Sequence, residues 1–213
     1  MLKIYAIPVS LYCAKLRIVL RHKGVQWEEV PPPGGYGSAE YKAIVPSGNL
    51  PALDDGDLLL TDSEAIAEYL NETQPWPAML PSEVTLRAKS RALGRFHDTR
   101  LEPELRRIFG QIRPDTRDAD VVGRAGDAIS GHLSVLAKLL VDADLPRDQL
   151  YLCDCGFAVT FEWLASFEKH VGLVLNWPDE VRQYRMDLAR LPSIAAEYAD
   201  YLPKLEAYMK DNS

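Results

Sequence analysis

Between Val45 and Leu70 the chain reads VPSGNLPALDDGDLLLTDSEAIAEYL, and few folds can hold that order of residues. Pro51 stands at the entrance to a short apolar run, Ala52 and Leu53. Proline has no amide hydrogen to give to a ladder, so it belongs at the start of a strand, on an edge or at a bulge. The Leu50–Pro51 bond is also a candidate for a cis peptide, because only proline brings that isomer within reach. Asp54-Asp55-Gly56-Asp57 carries Asp-Gly hairpin chemistry, which predicts a second strand over Leu58 to Leu60. Thr61, Asp62 and Ser63 then precede Ile66, Tyr69 and Leu70 at helical spacing. A run of Thr, Asp and Ser suits a helix start, where the first amide groups lack partners. Those amides, with the positive end of the helix dipole, are equally able to hold the carboxylate of a ligand.

The residues before this stretch supply the rest of a sheet. Leu2 to Ile7 alternates weakly and predicts a strand that Pro8 closes. Ser10 to Lys23 places Leu16, Val19 and Leu20 on one side with Ile18 beside them, and Gly24 offers a left-handed stop to that helix. Val25 to Val30 predicts a second strand, Pro31 to Gly35 forces a loop, and Ser38 to Ile44 is a short helical patch. A helix between two strands implies a parallel pair, and the Asp-Gly turn adds an antiparallel one. The expectation is a compact α/β domain over residues 1–76. Residues 73–82 contain three prolines and read as a linker. Residues 83–213 show no strand pattern, and the expected helices are 83–112 (kinked or divided at Pro103), 118–141, 155–171, 179–190 and 192–201. The fold class is therefore α/β plus all-α.

Composition narrows the function. The 213 residues are 47% apolar, enough for a substantial core, and carry a net charge of −7 with the two signs mixed. That balance argues against a nucleic-acid partner. No apolar run approaches the roughly 18 residues of a membrane span, and the first residues lack the basic region, long apolar core and cleavage site of a secretory signal. Three cysteines, Cys13, Cys153 and Cys155, form neither a disulfide framework nor a zinc pattern. The expectation is a reduced, cytoplasmic protein with no metal and no membrane association.

Three motifs together resemble the cytosolic glutathione transferases. PSGNLPAL followed by TDSEAIAEYL is similar to that family's glutathione-binding signature. Ser10-Leu11-Tyr12-Cys13-Ala14-Lys15-Leu16-Arg17-Ile18 is similar to the helix start of its serine-type classes (zeta, theta and tau), and Leu152-Cys153-Asp154-Cys155-Gly156 resembles a buried helix start of its second domain. The resemblance implies a thioredoxin-like first domain, a helical second domain, a homodimer, and glutathione as co-substrate. It implies that Ser10 donates a hydrogen bond to the glutathione sulfur, since the thiolate is the attacking species and a free thiol is mostly protonated at neutral pH. Leu50 and Pro51 would present backbone to the cysteinyl part of the peptide, as an added strand meets a sheet edge. Ser63 would hold the γ-glutamyl carboxylate and Asp62 would lie towards its ammonium. Asn49 stands where the family has Lys or Gln, so the glycyl carboxylate is left to Asn49 or to Lys42. Tyr12, Phe96, His97 and Arg100 are the candidates for the electrophile pocket.

Other readings of the same residues stay open. Ser10 could cap the first helix, and Asp62 and Ser63 could cap another. Cys13 at a helix start is a rival thiol group that implies a thiol transferase or dehydroascorbate-reductase-like enzyme. A fold of this kind could also serve as a non-catalytic ligand-binding module. Tyr151 replaces the Ser or Thr that normally caps the second domain's buried helix, which leaves Asp154 to act alone there.

Overall fold

The computed structural model describes residues 1–212. Its sheet has four strands, β1 (Leu2–Tyr5), β2 (Trp27–Val30), β3 (Ala52–Asp55) and β4 (Leu58–Thr61), in the order β2-β1-β3-β4. β1 pairs parallel with β2, with Leu2 beside Trp27, and antiparallel with β3, where Tyr5 faces Ala52. β3 and β4 form the hairpin expected around Asp-Gly, with Gly56 at a φ of 70°. Helix α1 (Leu11–Lys23) links the parallel pair, α2 (Ala39–Ile44) precedes β3, and α3 (Ser63–Thr73) follows β4. One sheet face packs Tyr5 and Ala52 against Tyr41 and Val45 of the α2 segment. The other contributes Ile4 and Leu53 to the main core with α1 and α3.

That main core is continuous with the helical half. Helices α4 (Val84–Phe96), α5 (Glu102–Arg106), α6 (Ala119–Ala143), α7 (Leu152–His170), α8 (Asp179–Arg190) and α9 (Pro192–Asn212) complete the chain. α1 packs on both α7 and α9, which is why nearly all of its residues from Leu11 to Leu20 are buried, Lys15 and Arg17 included. Glu197 of α9, 1% exposed, accepts from Arg17 Nε at 2.6 Å and from Arg21 Nε at 3.0 Å. The stretch between α3 and α4 is anchored. Met79 is fully buried; its amide donates to Asn71 Oδ1 at 3.1 Å and its carbonyl accepts from Leu152 N at 3.0 Å.

Three elements differ from the sequence expectation. Residues 83–112 are divided more finely: α4 gives way to a π-helical turn, His97–Leu101, before α5, whose second residue is Pro103. Proline cannot donate into a continuous α-helix and crowds the preceding turn, and a widened turn accommodates both effects. α7 begins at Leu152 rather than 155. Asp154 closes that start by accepting from Tyr151 N at 2.8 Å, without a capping side chain from Tyr151, and Tyr184 Oη also donates to it. α9 runs on to Asn212 through Pro203, because Tyr201, Leu205 and Met209 continue its buried stripe beyond the proline.

Candidate functional site

The two halves meet at a cleft of about 570 Å³. Its α/β side is lined by Tyr12, Tyr36, Ser47, Asn49, Leu50, Thr61, Asp62 and Ser63, and its helical side by Arg95, Asp98 and Arg106. The segment from Val45 to Leu70 supplies six of these positions as one surface. The Leu50–Pro51 peptide is cis, and the ladder register begins only at Ala52, so Leu50 stands outside the sheet's hydrogen bonding. Asn49 is fixed beneath by its carbonyl, which accepts from Tyr41 Oη at 2.8 Å.

Asp62 takes a positive φ of 78°, uncommon for a residue with a side chain, and this turns β4 into α3 within one residue. Its Oδ1 accepts from Glu64 N at 2.9 Å and Ala65 N at 3.1 Å. Asp62 is thus the cap of α3, and two of that helix's free amides are already satisfied. Ser63, 7% exposed, sits at the helix start and faces the cleft.

Ser10 caps α1 by accepting from Cys13 N at 3.3 Å. A hydroxyl that accepts from an amide keeps its own hydrogen to donate. Ser10 is half-buried and lies two residues before Tyr12, which lines the cleft, although Ser10 itself is not among the lining residues. Cys13 is 1% exposed, and burial pushes its thiol up despite the opposing influence of Ser10. A helix start by itself lowers the pKa of a cysteine, but at Cys13 desolvation outweighs the helix end.

The electrophile-pocket candidates separate. Tyr12 lies in the cleft, its phenol pushed up by burial and by the charges of Glu102 and Asp98. Arg106 lies over the Tyr12 ring at 5.9 Å and pairs with Glu102. Phe96, His97 and Arg100 do not line the cleft. Phe96 turns to the edge of His132, His97 is buried against Phe157, and Arg100 is exposed. Lys42 is likewise outside, lying over the Gly48 turn, where a Cβ on the glycine would come within 2.9 Å of Lys42 Cε. The residues that do face the cleft, Arg95, Asp98 and Arg106, share a face with Glu102 at intervals of three and four. That polar stripe is visible in the sequence, but the charges from Arg87 to Arg107 read there as a solvated or dimer-facing helix surface.

Asp98 belongs to a buried polar cluster behind the cleft. Lys15, 2% exposed, reaches Glu64 Oε2 at 2.7 Å and Asp98 Oδ2 at 3.3 Å. Burial alone would push its ammonium down, but the two carboxylates overcome that and hold it above the usual lysine value. Asp98 is shifted the other way: burial raises it, and the hydrogen bond from His97 with the Lys15 charge more than offsets this, leaving it below the usual carboxylate range. Among the described residues no cluster of side chains fits a metal ion, and no helix is long and apolar enough to cross a membrane.

Residues 4–78 match the family model for the glutathione S-transferase N-terminal domain. Glutathione S-transferase Z1 of Arabidopsis thaliana is 32% identical over 168 residues, 74% of each chain. A maleylpyruvate isomerase of a Ralstonia species is 35% identical over 178 residues, covering 78% of this chain and 84% of its own. Among solved structures, a maleylpyruvate isomerase described as a bacterial zeta-class glutathione S-transferase superposes with a TM-score of 0.77 at 29% identity, over 92% of this chain and 95% of the other. The strand-cis-proline-hairpin-helix surface, the capped α1 and the helical second half therefore have one explanation: the chain belongs to the glutathione S-transferase family.

Proposed function

We propose that this protein is a glutathione-dependent enzyme in which the cleft holds glutathione and directs its thiolate onto an unsaturated small molecule bearing a carboxylate. The observation that supports this most is the shared surface of Leu50 and Ser63. It offers unladdered backbone to a peptide at one end and a helix start to a carboxylate at the other. In this reading Asn49 takes the glycyl end and the Leu50–Pro51 edge takes the cysteinyl part. Ser63 takes the γ-glutamyl carboxylate, and Ser10 donates its free hydrogen to the sulfur. Arg95 and Arg106 give the electrophile side positive charge. Conjugation leaves the thiolate attached to its target; isomerisation expels it again after rotation about the former double bond. Both begin with the same addition, and relatives named as maleylpyruvate and maleylacetoacetate isomerases favour the reversible course. The enzyme lowers the barrier by stabilising the thiolate and by holding it close to the reacting carbon.

The test is turnover with glutathione of two electrophiles, maleylpyruvate and a chlorodinitrobenzene-type acceptor, by the wild type, Ser10→Ala and Cys13→Ala. The expected result is activity in the wild type and Cys13→Ala, with a fall of about a hundredfold in Ser10→Ala. Loss in Cys13→Ala with activity kept in Ser10→Ala overturns the serine assignment. Glutathione binding without turnover of either compound supports a ligand-binding module instead. The same reading includes a homodimer, joined through the α/β half of one subunit and α4 of the other, which sedimentation at twice the chain mass would support. It also includes a cytoplasmic setting, consistent with three unpaired thiols.

A further inference from the structure

The buried cluster behind the cleft does more than neutralise charge. His97 is 1% exposed and makes two hydrogen bonds, Nδ1 to Asp98 Oδ1 and Nε2 to Thr160 Oγ1, each 2.7 Å. Its ring meets the Phe157 ring edge-on at 5.0 Å. On the remaining side lies Gly156, where a Cβ would fall 2.7 Å from His97 Cε1. The imidazole therefore has one place to be, fixed by α7 on three counts. Asp98, the next residue on the π-helical turn, has its carboxylate held from one side by this ring and from another by Lys15 Nζ. What remains of it, 12% exposed, faces the cleft.

Resting on the glutathione reading above, we propose that His97 is a positioning residue for the amino end of glutathione, acting through Asp98. A γ-glutamyl head group is a zwitterion and needs partners of both signs. Ser63 at the amino end of α3 suits its carboxylate, while Asp62 spends Oδ1 on the amides of Glu64 and Ala65. Asp98 lines the same cleft, and the cluster around it sets two carboxylates, Glu64 and Asp98, against one ammonium, Lys15. The negative charge left over is presented to the cleft by Asp98, and a primary ammonium is the complementary ligand group. His97, 2.7 Å from Oδ1, fixes the plane of that carboxylate against Lys15, whose Nζ lies 3.5 Å from Oδ1 and 3.3 Å from Oδ2. A lone ion pair between Asp98 and Lys15 would let the carboxylate rotate fully towards the buried ammonium; the second, rigidly held donor forbids this.

Calorimetric titration with glutathione and with an analogue lacking only the γ-glutamyl amino group tests this. The wild type is expected to prefer glutathione at least tenfold. His97→Phe, close in shape and unable to donate to Asp98, is expected to lose most of that preference by weakening glutathione far more than the analogue. His97→Asn, which retains a donor near Nδ1, is expected to recover a good part of it. A merely structural role would weaken both ligands alike or neither, and either result overturns the proposal. Where His97→Phe does not fold, Thr160→Val carries the same test, with a preference reduced about threefold expected and an unchanged preference overturning it. Wild-type protein that binds glutathione without preferring it overturns this inference alone. Wild-type protein that does not bind glutathione overturns the function proposed above as well.

Discussion

Replacing Lys15 by methionine is expected to destabilise the protein by about 3 kcal/mol at neutral pH, the lower end of the range for breaking a buried ion pair from one side. The substitution keeps the aliphatic stem and removes the ammonium, leaving Glu64 and Asp98 facing each other without the cation that lies 2.7 and 3.3 Å from them. The lower end applies because the two carboxylates are 18% and 12% exposed, so some water reaches them, while Lys15 is 2% exposed. For a chain of 213 residues, about 3 kcal/mol corresponds to a melting-temperature loss of roughly 6–12 °C. The pH dependence gives a sharper check. Lys15 is raised on folding, so its contribution is complete below the ordinary lysine value of about 10.4 and fades as pH rises through the folded value. Asp98 is lowered on folding, so its contribution is complete above the ordinary aspartate value of about 3.9 and fades as pH falls through the folded value. The gap between wild type and Lys15→Met is therefore widest from about pH 5 to 9 and narrows towards pH 4, where the two carboxylates left without their cation in the variant can take up a proton. Urea denaturation across that range measures it. A difference below about 1 kcal/mol at pH 7, or one that does not shrink on acidification, would refute the assignment of Lys15 as the counter-ion of both carboxylates.

Two further outcomes follow from the same physics. Glu197→Gln keeps the shape of the side chain that joins α1 to α9 but removes the charge that Arg17 and Arg21 share, and a loss of about 2–3 kcal/mol is expected in a denaturant titration; stability equal to the wild type would mean that solvent already satisfies both guanidinium groups. Iodoacetamide at pH 7 is expected to leave Cys13, Cys153 and Cys155 unmodified in the native protein and to label all three after unfolding, because each thiol is buried and pushed up by that burial. Rapid native labelling of Cys13 would favour the thiol-transferase reading.

Much of the first half of the molecule was legible from residue order alone. Pro51, Asp55-Gly56 and Thr61-Asp62-Ser63 are local devices, each acting through one dihedral angle, one missing hydrogen or one cap. The strand-hairpin-helix they encode forms wherever those residues stand in that order, and the cleft contains the surface they build. The division at Pro103 is local in the same way, since it follows from a missing amide hydrogen.

The other wall of the cleft depended on packing that no local pattern records. Which of Phe96, His97, Asp98 and Arg100 turns inward is set by a π-helical turn, and by the space that Gly156 leaves on a helix almost sixty residues away. Cys13 shows the same limit from the opposite direction. Its place at a helix start predicts an acidic thiol, yet α7 and α9 close over α1 and desolvation prevails. Sequence by itself determined most of the elements and the unladdered edge at Leu50–Pro51, because those rest on neighbours in the chain. Tertiary structure alone decided which charged groups are buried, which are paired and which reach the cleft, because the free energy of a charge depends on everything within a few ångströms, whatever its distance along the chain.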